Sequence, residues 1–559
     1  MADDGYSHSE RDEVDMVKAE VDRVTRLTES YWPADTSKPL LNKSIGQVLR
    51  DAVAAAPDRI ALVEGVADPA KRRRWTYSQL LADSEKTASA LLAKFKPGER
   101  VAVWADNIPE WVVMQLACAL SGVLMITVNP ANRIREIEYL LGQSEVAGLF
   151  LIEEYRGHKM LDTVDQIRKN LPYLREVVSF SKFEDFVKSN SSSKVVFPKI
   201  NPEDPCIIMY TSGTTGFPKG ATLTHNGVIS LLAFMAERAD LDIGGVWVNV
   251  MPMFHIGGTF ASLGCITRCA THVMAPAFDP VLVCKLIEEE KGTFTLLVPT
   301  MIEMVLNHPD RNAYDLSTLK TIQSGASKVE PELIRRVKEE FNCGMCIAFG
   351  QTEAVSITLT HAGDSAEDQS ETIGQPYPHL EVKIAHPETG EVLPVDVEGE
   401  ICVRGFSVMT GYYKMPEASA KAVRDGWLHT GDLGSMDKRG FLNITGRLKD
   451  MIIRGGENIY PAEIEKLLTE HPKVAGAAVI GIPNPQWGEE VAAIVIPKSA
   501  GDAPKPQELH DYCRTYLTHF KTPRIWAFAE EFPYTATGKL QKFMIKDLIV
   551  KGELKTKRT

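Results

Sequence analysis

The sequence predicts an α/β protein of more than one domain, and three observations lead to that prediction. The chain has 559 residues, which at roughly 150 residues per domain is enough for several hydrophobic cores. Strand-like and helix-like apolar patterns alternate as far as about residue 360, as in parallel sheets covered by helices. Short strand-like segments with glycine and proline between them then follow. We expect parallel α/β sheets covered by helices, then a small β subdomain and then a compact α/β series.

The N-terminal half supplies most of the alternating pattern. A charged stretch from Glu10 to Tyr31 carries valines at helical spacing and predicts a helix. Strands are then predicted at Arg100–Trp104, Leu124–Val128 and Leu149–Leu151, with helices at Pro109–Leu120 and from Arg133 onward. Strands separated by helices indicate a parallel sheet with both faces covered.

Beyond Glu381 the pattern changes. Segments such as Val382–Ala385 and Glu400–Val403 are short and strand-like, which predicts the small β subdomain. A compact series of helices and strands follows Arg447 and predicts the C-terminal domain.

Composition and charge argue against several classes of function. The formal net charge is −12 and no basic stripe is interleaved with aromatic residues, so nucleic acid is not the expected partner. The acidic N-terminus lacks the features of a signal peptide, and nine irregularly spaced cysteines suggest reduced thiols, so a cytoplasmic location is expected. The uncharged run from Trp111 to Asn132 is interrupted by polar residues and predicts a buried helix and strand, with no transmembrane segment. Cys343 and Cys346 lack a second pair of metal ligands, so we interpret them as small residues entering a buried strand.

A phosphate-binding loop is the strongest local signal. The apolar run Cys206–Met209 is typical of a buried strand and leads into Tyr-Thr-Ser-Gly-Thr-Thr-Gly-Phe-Pro-Lys-Gly at Tyr210–Gly220. Glycines let backbone N–H groups turn toward an anion, while hydroxyl groups and Lys219 add further donors. Lys219 is followed by glycine rather than serine or threonine, so the loop is not a Walker A motif. An ordinary P-loop ATPase or kinase is therefore disfavoured.

With the motifs that follow it, this loop resembles the signature of the adenylate-forming superfamily, which contains acyl-CoA synthetases, 4-coumarate:CoA ligases, luciferases and the adenylation domains of peptide synthetases. The resemblance spans nearly the whole chain and is closest to the acid:CoA ligase branch. It implies a large N-terminal AMP-binding domain at residues 1–448, built of parallel α/β sheets with a small β-barrel-like subdomain. It also implies a hinge and a small mobile α+β C-terminal domain at residues 449–559. It also implies ATP, Mg²⁺ and coenzyme A, with a carboxylate attacking the α-phosphate of ATP and a thiol then attacking the acyl-AMP.

The resemblance assigns roles to residues of five further motifs. In Phe349–Glu353, the aromatic lies against adenine, Thr352 contacts the α-phosphate and Glu353 holds Mg²⁺. Ser324–Ser327 resembles a small-residue turn along adenine, and Thr430-Gly431-Asp432 matches the ribose motif. The expected cofactor-binding residues are Thr211, Ser212, Gly213, Thr214, Thr215, Gly216, Lys219, Gly325, Ala326, Ser327, Phe349, Gly350, Gln351, Thr352, Asp432, Arg447, Lys449, Gly455, Gly456 and Lys539, and the expected metal ligands are Thr215 and Glu353.

The expected catalytic residues are Lys539, Thr352, Glu353 and His255. Lys539, in Thr-Gly-Lys, matches the lysine of a mobile loop that bridges the substrate carboxylate and the α-phosphate. Gly456 matches the glycine that lines the channel for the pantetheine arm of CoA. His255 stands where domains that activate amino acids carry an aspartate, so a free amino acid is disfavoured as substrate, although a histidine that only stabilises a turn is an alternative.

The expected function is an ATP-dependent carboxylic acid:CoA ligase. Mostly apolar segments near His255, at Pro299–Leu306 and at Ala354–Thr358 suggest a fatty, alicyclic or aryl acid. One alternative is an adenylating ligase that loads a carrier protein, although the chain has no recognisable carrier domain. Another is a noncatalytic nucleotide-binding regulator, which would be expected to have lost Glu353 or Lys539. The sequence is compatible with a homodimer but does not fix the oligomeric state.

Overall fold

The structure is a computed structural model that describes residues 27–211, 218–325, 329–455, 457–534 and 540–559, with only the backbone of residues 458 and 500. Within these ranges, α-helices span Ile45–Ala55, Tyr77–Lys94, Pro109–Ser121, Ile134–Gln143, Met160–Ile167, Phe183–Asn190, His225–Arg238, Ile256–Thr267, Pro280–Glu290, Pro299–Leu306, Pro331–Phe341, Ala366–Glu371, Pro416–Ala422, Pro461–Thr469, Pro506–Tyr516 and Lys542–Val550. Of the helices described, none is both long enough and apolar enough to cross a membrane.

The ends of the first helices follow from their capping residues. The Ser44 side chain accepts a hydrogen bond from the backbone N–H of Gln47 at the start of Ile45–Ala55. Thr76 and Gln79 form a reciprocal capping box at the start of Tyr77–Lys94. Local chemistry therefore sets these helix starts, which lie in the region predicted to alternate helix and strand.

The first N-terminal sheet contains the two strands that flank the predicted phosphate loop. Its strands, in spatial order, are Gly411–Tyr412, Lys219–Thr224, Pro205–Thr211, Leu124–Val128, Arg100–Trp104, Gly148–Leu151 and Glu176–Ser179. The five strands from Pro205–Thr211 onward in this order are parallel, and Lys219–Thr224 and Gly411–Tyr412 add antiparallel pairs at one edge. All residues of Leu124–Val128 are buried, which explains why this segment is uncharged and mostly apolar.

The second N-terminal sheet contains the motifs predicted to lie along adenine. Its strands, in spatial order, are Gln375–Pro376, Thr358–Leu359, Gly344–Phe349, Thr321–Gly325, Phe294–Leu296, Val246–Asn249, Thr271–Met274, Ile60–Glu64 and Arg74–Thr76. The central strands are parallel, and the pairs at both edges are antiparallel. One large apolar core contains Ile207 from the first sheet and Trp247 from the second, so the two sheets share an interior.

Two further sheets complete the described fold. The β subdomain is antiparallel, in the order Tyr31–Trp32, Leu380–Ala385, Gly399–Gly405, Trp427–Met436 and Val423–Arg424, with Leu442–Arg447 also paired to Trp427–Met436. The C-terminal sheet has the order Glu457–Ile459, Ile452–Arg454, Gly488–Pro497, Ile525–Phe528 and Thr556–Arg558, with Val474–Asn484 also paired to Gly488–Pro497. A separate small hairpin joins Glu154–Tyr155 and His158–Lys159. The predicted α/β fold class, with a large N-terminal domain and a C-terminal domain, is confirmed.

Three local predictions have different outcomes. The prediction of a helix at residues 10–31 is wrong at its C-terminal end, because Tyr31 and Trp32 form a strand that pairs with Lys383 and Val382. Residues 10–26 of that predicted helix lie outside the described ranges. Cys343 and Cys346 are free and buried, with Cys343 directly before the strand Gly344–Phe349 and Cys346 within it, as interpreted. The domain boundary between residues 448 and 449 stays a prediction; a short turn there, Leu448–Asp450, links strands that belong to different sheets.

Candidate active site

Two predicted nucleotide motifs lie side by side at the carboxyl edge of the second sheet. Gly325 ends its strand and pairs with Ala348, which directly precedes Phe349 on the neighbouring strand. A Cβ atom on Gly325 would lie 2.6 Å from the carbonyl oxygen of Ala348, so this close approach requires glycine. Ligands of open parallel sheets bind outside this edge. The structure therefore brings Gly325 and Phe349 together, whereas Ala326 and Ser327 lie outside the described residues.

The turn after Phe349 has a tightly fixed backbone. A Cβ atom on Gly350 would lie 2.3 Å from the carbonyl oxygen of Val355 and 2.6 Å from the Cα atom of Ser356. Val355 has a φ of 53°, a left-handed conformation that β-branched residues rarely adopt. Such strained residues cluster at functional sites. The amide nitrogen of Gln351 is buried and has no hydrogen-bond partner among the described residues, so it is available to a ligand.

We expect Gly350→Ala to lower both the thermal stability of the protein and its affinity for AMP. The added methyl group meets backbone atoms rather than a movable side chain, and overpacking of this kind costs about 1–3 kcal/mol of stability. Gly363→Ala is the matched control, because a Cβ atom there meets nothing within 4 Å. The melting temperature and calorimetric AMP affinity of both variants test this expectation. Equal behaviour of the two variants would show that the turn tolerates displacement.

Glu353 takes part in a polar network that joins two predicted site residues. Glu353 is 9% exposed, and its Oε1 accepts a hydrogen bond of 2.6 Å from the Tyr412 hydroxyl group. The Nζ atom of Lys219 lies 5.0 Å from the centre of the Tyr412 ring, a cation–π distance. Burial and the neighbouring Glu353 carboxylate raise the pKa of Tyr412, so its hydroxyl group stays a donor. Sequence reasoning missed Tyr412, since a Gly-Tyr-Tyr sequence has no distinctive signal of its own.

The strands on either side of the predicted phosphate loop pair with each other. Thr211 is the register partner of Lys219, and its hydroxyl group donates to the Lys219 carbonyl oxygen at 3.4 Å. The Tyr139 hydroxyl group donates to the carbonyl oxygen of Pro218 at 3.2 Å and anchors the return of the loop. The structure thus places Thr211 and Lys219 together. The predicted loop residues outside the described ranges are Ser212, Gly213, Thr214, Thr215 and Gly216.

The structure also brings together the two residues predicted to reach the ribose. Asp432 and Arg447 are register partners on adjacent strands, and Arg447 Nε lies 2.8 Å from Asp432 Oδ1. The side chain of Asp432 is 5% exposed and that of Arg447 is 42% exposed, so the arginine covers the carboxylate from the solvent side. Lys449 lies just beyond this pair, exposed in the turn Leu448–Asp450.

His255 has a structural role that the sequence allowed as an alternative. It is the N-cap residue of the helix Ile256–Thr267, and its Nδ1 accepts a hydrogen bond of 3.3 Å from the backbone N–H of Gly257. A Cβ atom on Gly258 would lie 2.2 Å from the carbonyl oxygen of Pro252, so the helix start is packed directly on the preceding chain. A substrate-facing role for His255 stays a prediction.

The predicted CoA-channel residues lie at a hairpin of the C-terminal sheet. Gly455 has a φ of 62° and donates its N–H to the carbonyl oxygen of Trp487 at 2.8 Å. The Arg454 guanidinium group lies 5.4 Å from the centre of the Trp487 ring and forms a buried ion pair of 2.7 Å with Glu490. Gly456 and Lys539 lie outside the described residues.

Comparisons with known proteins agree over most of the chain. A family model described as AMP-binding enzyme matches residues 49–413, more than half of the chain, and a model of the AMP-binding enzyme C-terminal domain matches residues 463–539. The chain is 39% identical to the putative acyl-CoA synthetase YngI of Bacillus subtilis (strain 168), over 91% of this chain and 97% of that protein. It is 34% identical to the mitochondrial medium-chain acyl-CoA ligase ACSF2 of Homo sapiens, over 93% and 89% of the two chains. ATP-bound MatB from Rhodopseudomonas palustris superposes with a TM-score of 0.82 at 26% identity, over 91% and 99% of the two chains.

Proposed function

This chain belongs to the AMP-binding enzyme family, and from that premise we propose that it activates a medium-chain carboxylic acid and transfers the acyl group to coenzyme A. The AMP-binding family model and relatives named acyl-CoA synthetase and acyl-CoA ligase confirm the AMP-forming acid:CoA ligase that the sequence predicts. The choice of acid rests on one face of the second sheet.

That face is uncharged where three central strands lie next to one another. Leu296, Gln323 and Cys346 are register partners, so their side chains project from the same face. The Gln323 amide nitrogen lies 3.8 Å from the sulfur atom of Met235, which places this face against the helix His225–Arg238. The opposite face holds a separate apolar cluster. The layer between the sheet and this helix therefore supports an uncharged acyl chain as the occupant.

Small residues connect this layer to the nucleotide motifs. Gly325 and Ala348 are the next register pair on the same face toward the carboxyl edge, two residues beyond Gln323 and Cys346, and Ala348 directly precedes Phe349. An acyl chain attached to AMP would pass these small residues and run along the face toward Gln323. An ammonium group or a second carboxylate on that chain would lose its hydration without gaining a partner, which costs several kcal/mol. This argument supports a simple aliphatic acid over an amino acid or a dicarboxylic acid.

Gln323 supports a medium rather than a long chain. Its residue is 3% exposed, and its Oε1 has no hydrogen-bond partner among the described residues. A long apolar chain packed against this oxygen would leave it without water, at a cost of about 1–3 kcal/mol. A shorter chain that ends before Gln323 leaves room for water at the amide. The name of the human relative, a medium-chain acyl-CoA ligase, agrees with this proposal.

The roles proposed for the nucleotide site use the contacts described above. Lys219 would neutralise phosphate charge from the strand that leaves the loop, with the Tyr412 ring behind its ammonium group. Phe349 would lie against adenine, and Thr352, two residues beyond Gly350, would donate to the α-phosphate. Asp432 would accept hydrogen bonds from the ribose hydroxyl groups, oriented by its pairing with Arg447. These groups would already be in position before the reaction starts, so little reorganisation would be needed when charge develops at phosphorus.

The residues near the triphosphate fit Mg²⁺. Glu353 offers a nearly buried carboxylate, and because Tyr412 engages only Oε1, the second oxygen can face the ligand. Carboxylate and hydroxyl oxygens are the ligands that Mg²⁺ prefers. Glu353 would hold the ion, with Thr215 as the second proposed ligand, and the ion would offset the negative charge of the triphosphate.

Transfer to CoA is proposed to involve the C-terminal domain. Gly456 would line the pantetheine channel beside Gly455, and Lys539 would bridge the acid and the α-phosphate in the first half-reaction only. His255, at the start of the helix Ile256–Thr267, would form one boundary of the acyl-binding site. Lys449 would serve as the hinge between the domains at residues 1–448 and 449–559.

A cytoplasmic location and a homodimer stay predictions, and the name of the human relative places that protein in mitochondria.

Pyrophosphate release measured over a panel of acids, each with and without CoA, tests the substrate proposal. We expect the highest kcat/KM with unbranched medium-chain acids, because they extend past Gly325 and Ala348 along the uncharged face and end before Gln323. Thioester should form only when CoA is present. Free amino acids and dicarboxylic acids should give background rates. Highest activity with acetate, with an amino acid or with a long-chain acid would contradict the proposal.

A further inference from the structure

The proposed ribose motif lies in a bulge between two antiparallel strands. Glu400 and Cys402 are separated by one residue, whereas their register partners Leu433 and His429 are separated by three. The residues of the wider segment are Thr430, Gly431 and Asp432. Bulges of this kind turn a side chain in a new direction and are frequent next to active sites. The contacts that hold this bulge therefore decide where the Asp432 carboxylate points.

Glu400 holds the bulge from inside the sheet. Its Oε1 accepts a hydrogen bond of 3.1 Å from the backbone N–H of Gly431, the residue before Asp432. Its Oε2 lies 2.7 Å from Nδ1 of His429, the residue before the bulge. The Glu400 side chain is only 3% exposed, and Gly431 has a φ of 71°, a conformation favoured by glycine. One buried carboxylate thus fixes the bulge at two points.

A cation completes the charge balance around Glu400. Arg424 Nη2 lies 3.6 Å from Glu400 Oε2 and 2.6 Å from His429 Nδ1. Glu400, Cys402 and His429 also bring one oxygen, one sulfur and one nitrogen atom within 4.8 Å of one another, as metal ligands do. Because the Arg424 guanidinium group already lies against two of these atoms, we assign no metal ion to the cluster. A buried carboxylate of this kind requires such partners to offset its lost hydration.

We propose that Glu400 is a positioning residue for the ribose of ATP, acting through the bulge that presents Asp432. The inference rests on the proposed function, because the contact between Asp432 and the ribose is itself a proposal. Without Glu400, the Gly431 N–H group loses its acceptor and the bulge can relax into other register pairings. The Asp432 carboxylate then no longer faces both ribose hydroxyl groups. The expected loss is specific to those hydroxyl groups rather than to ATP as a whole.

The test compares kcat/KM for ATP with kcat/KM for 3′-deoxy-ATP in acyl-AMP formation. A hydrogen bond to a charged group discriminates by about 10- to 100-fold, which is the ratio expected for the unchanged enzyme. Asp432→Ala should bring the ratio close to one, and Glu400→Ala should move it most of the way to that value. Glu400→Gln keeps a carbonyl oxygen for Gly431 and should restore most of the ratio. Calorimetric binding of AMP and 3′-deoxy-AMP gives the same comparison without catalysis.

Glu381→Ala is the matched control. Glu381 forms a carboxylate–arginine pair of 2.7 Å with Arg404 in the same sheet, away from the bulge, so its loss should leave the ratio unchanged. Should Glu400→Ala fail to fold, Glu400→Asp withdraws the carboxylate by one methylene group and must lower the ratio in the same direction. Parallel losses with both nucleotides, or no loss, in the Glu400 variants would overturn the inference. An unchanged ratio in Asp432→Ala would instead refute the ribose assignment, and the inference with it.

Discussion

Replacing Lys539 with alanine is expected to slow acyl-AMP formation by about 10²- to 10³-fold, the usual cost of losing one preorganised donor to a developing charge. Lys539 lies outside the described residues, and its role is proposed from its place in the Thr-Gly-Lys motif of this family. Its ammonium group would contact the acid and the α-phosphate only during adenylation. Thioester formation from a pre-made acyl-AMP and CoA should therefore proceed at close to the normal rate. The two half-reactions are measured separately, the first by pyrophosphate exchange and the second by thioester formation.

Lys542→Ala is the control for this variant. Lys542 is three residues further along the chain and forms an ion pair of 2.6 Å with Glu465, so it has a structural partner of its own. Its loss should leave both half-reactions unchanged. If Lys539→Ala slows both steps equally, with altered circular dichroism, the lysine supports folding rather than chemistry. If it slows neither step, Lys539 is a solvated loop residue.

Much of the fold could be predicted because its signals are local. The uncharged, mostly apolar segment Leu124–Val128 predicts a buried strand, and the structure confirms it. The helix predicted at Pro109–Leu120 is observed at Pro109–Ser121, where Gly122 ends it in a left-handed conformation. Interactions between residues that are close in sequence determine such elements. The sequence alone therefore suffices to predict them.

Other features depend on partners distant in sequence. Tyr31 was placed in a helix by the spacing of the preceding valines, yet it pairs with a strand about 350 residues away and its hydroxyl group donates to Glu381. Tyr412 and Glu400 belong to the site only through contacts across 59 and 31 residues, with Glu353 and Gly431 respectively. Their short sequence surroundings are ordinary strand and turn residues. Pairing between distant segments, which local periodicity does not encode, determines these positions.

The motif glycines also combine a feature that the sequence reveals with one that only the structure reveals. The sequence identified Gly325 and Gly350 from their motifs, but it did not show what makes glycine necessary at either position. At Gly325 the obstacle is the carbonyl oxygen of Ala348 on the adjacent strand. At Gly350 it is the backbone of the same turn, five and six residues further along. Motif matching thus predicts these positions, and the packing around them gives the physical reason for glycine at each.

Glu353→Gln is expected to slow acyl-AMP formation by about 10²- to 10³-fold and to raise the Mg²⁺ concentration needed for half-maximal rate. The amide is almost the same shape as the carboxylate, so the buried position stays filled while the negative charge is lost. Hard cations bind carboxylate oxygens far better than amide groups of this kind. Titration of Mg²⁺ at saturating ATP, with the melting temperature as a measure of folding, tests this expectation. An unchanged rate with unchanged Mg²⁺ dependence would show that the metal assignment is wrong.

Tyr412→Phe then tests whether the Tyr412 hydroxyl group acts through Glu353. The hydrogen bond of 2.6 Å orients the carboxylate, and its loss should cost about 10-fold in the same rate and shift the Mg²⁺ titration in the same direction. Because groups in one network are coupled, the double variant should be hardly slower than Glu353→Gln alone. Tyr413→Phe is the control, since the Tyr413 ring lies beside Arg100 and Lys414 instead. Fully additive effects in the double variant would mean that Tyr412 acts on Lys219 or on the nucleotide directly, independently of the Glu353 carboxylate.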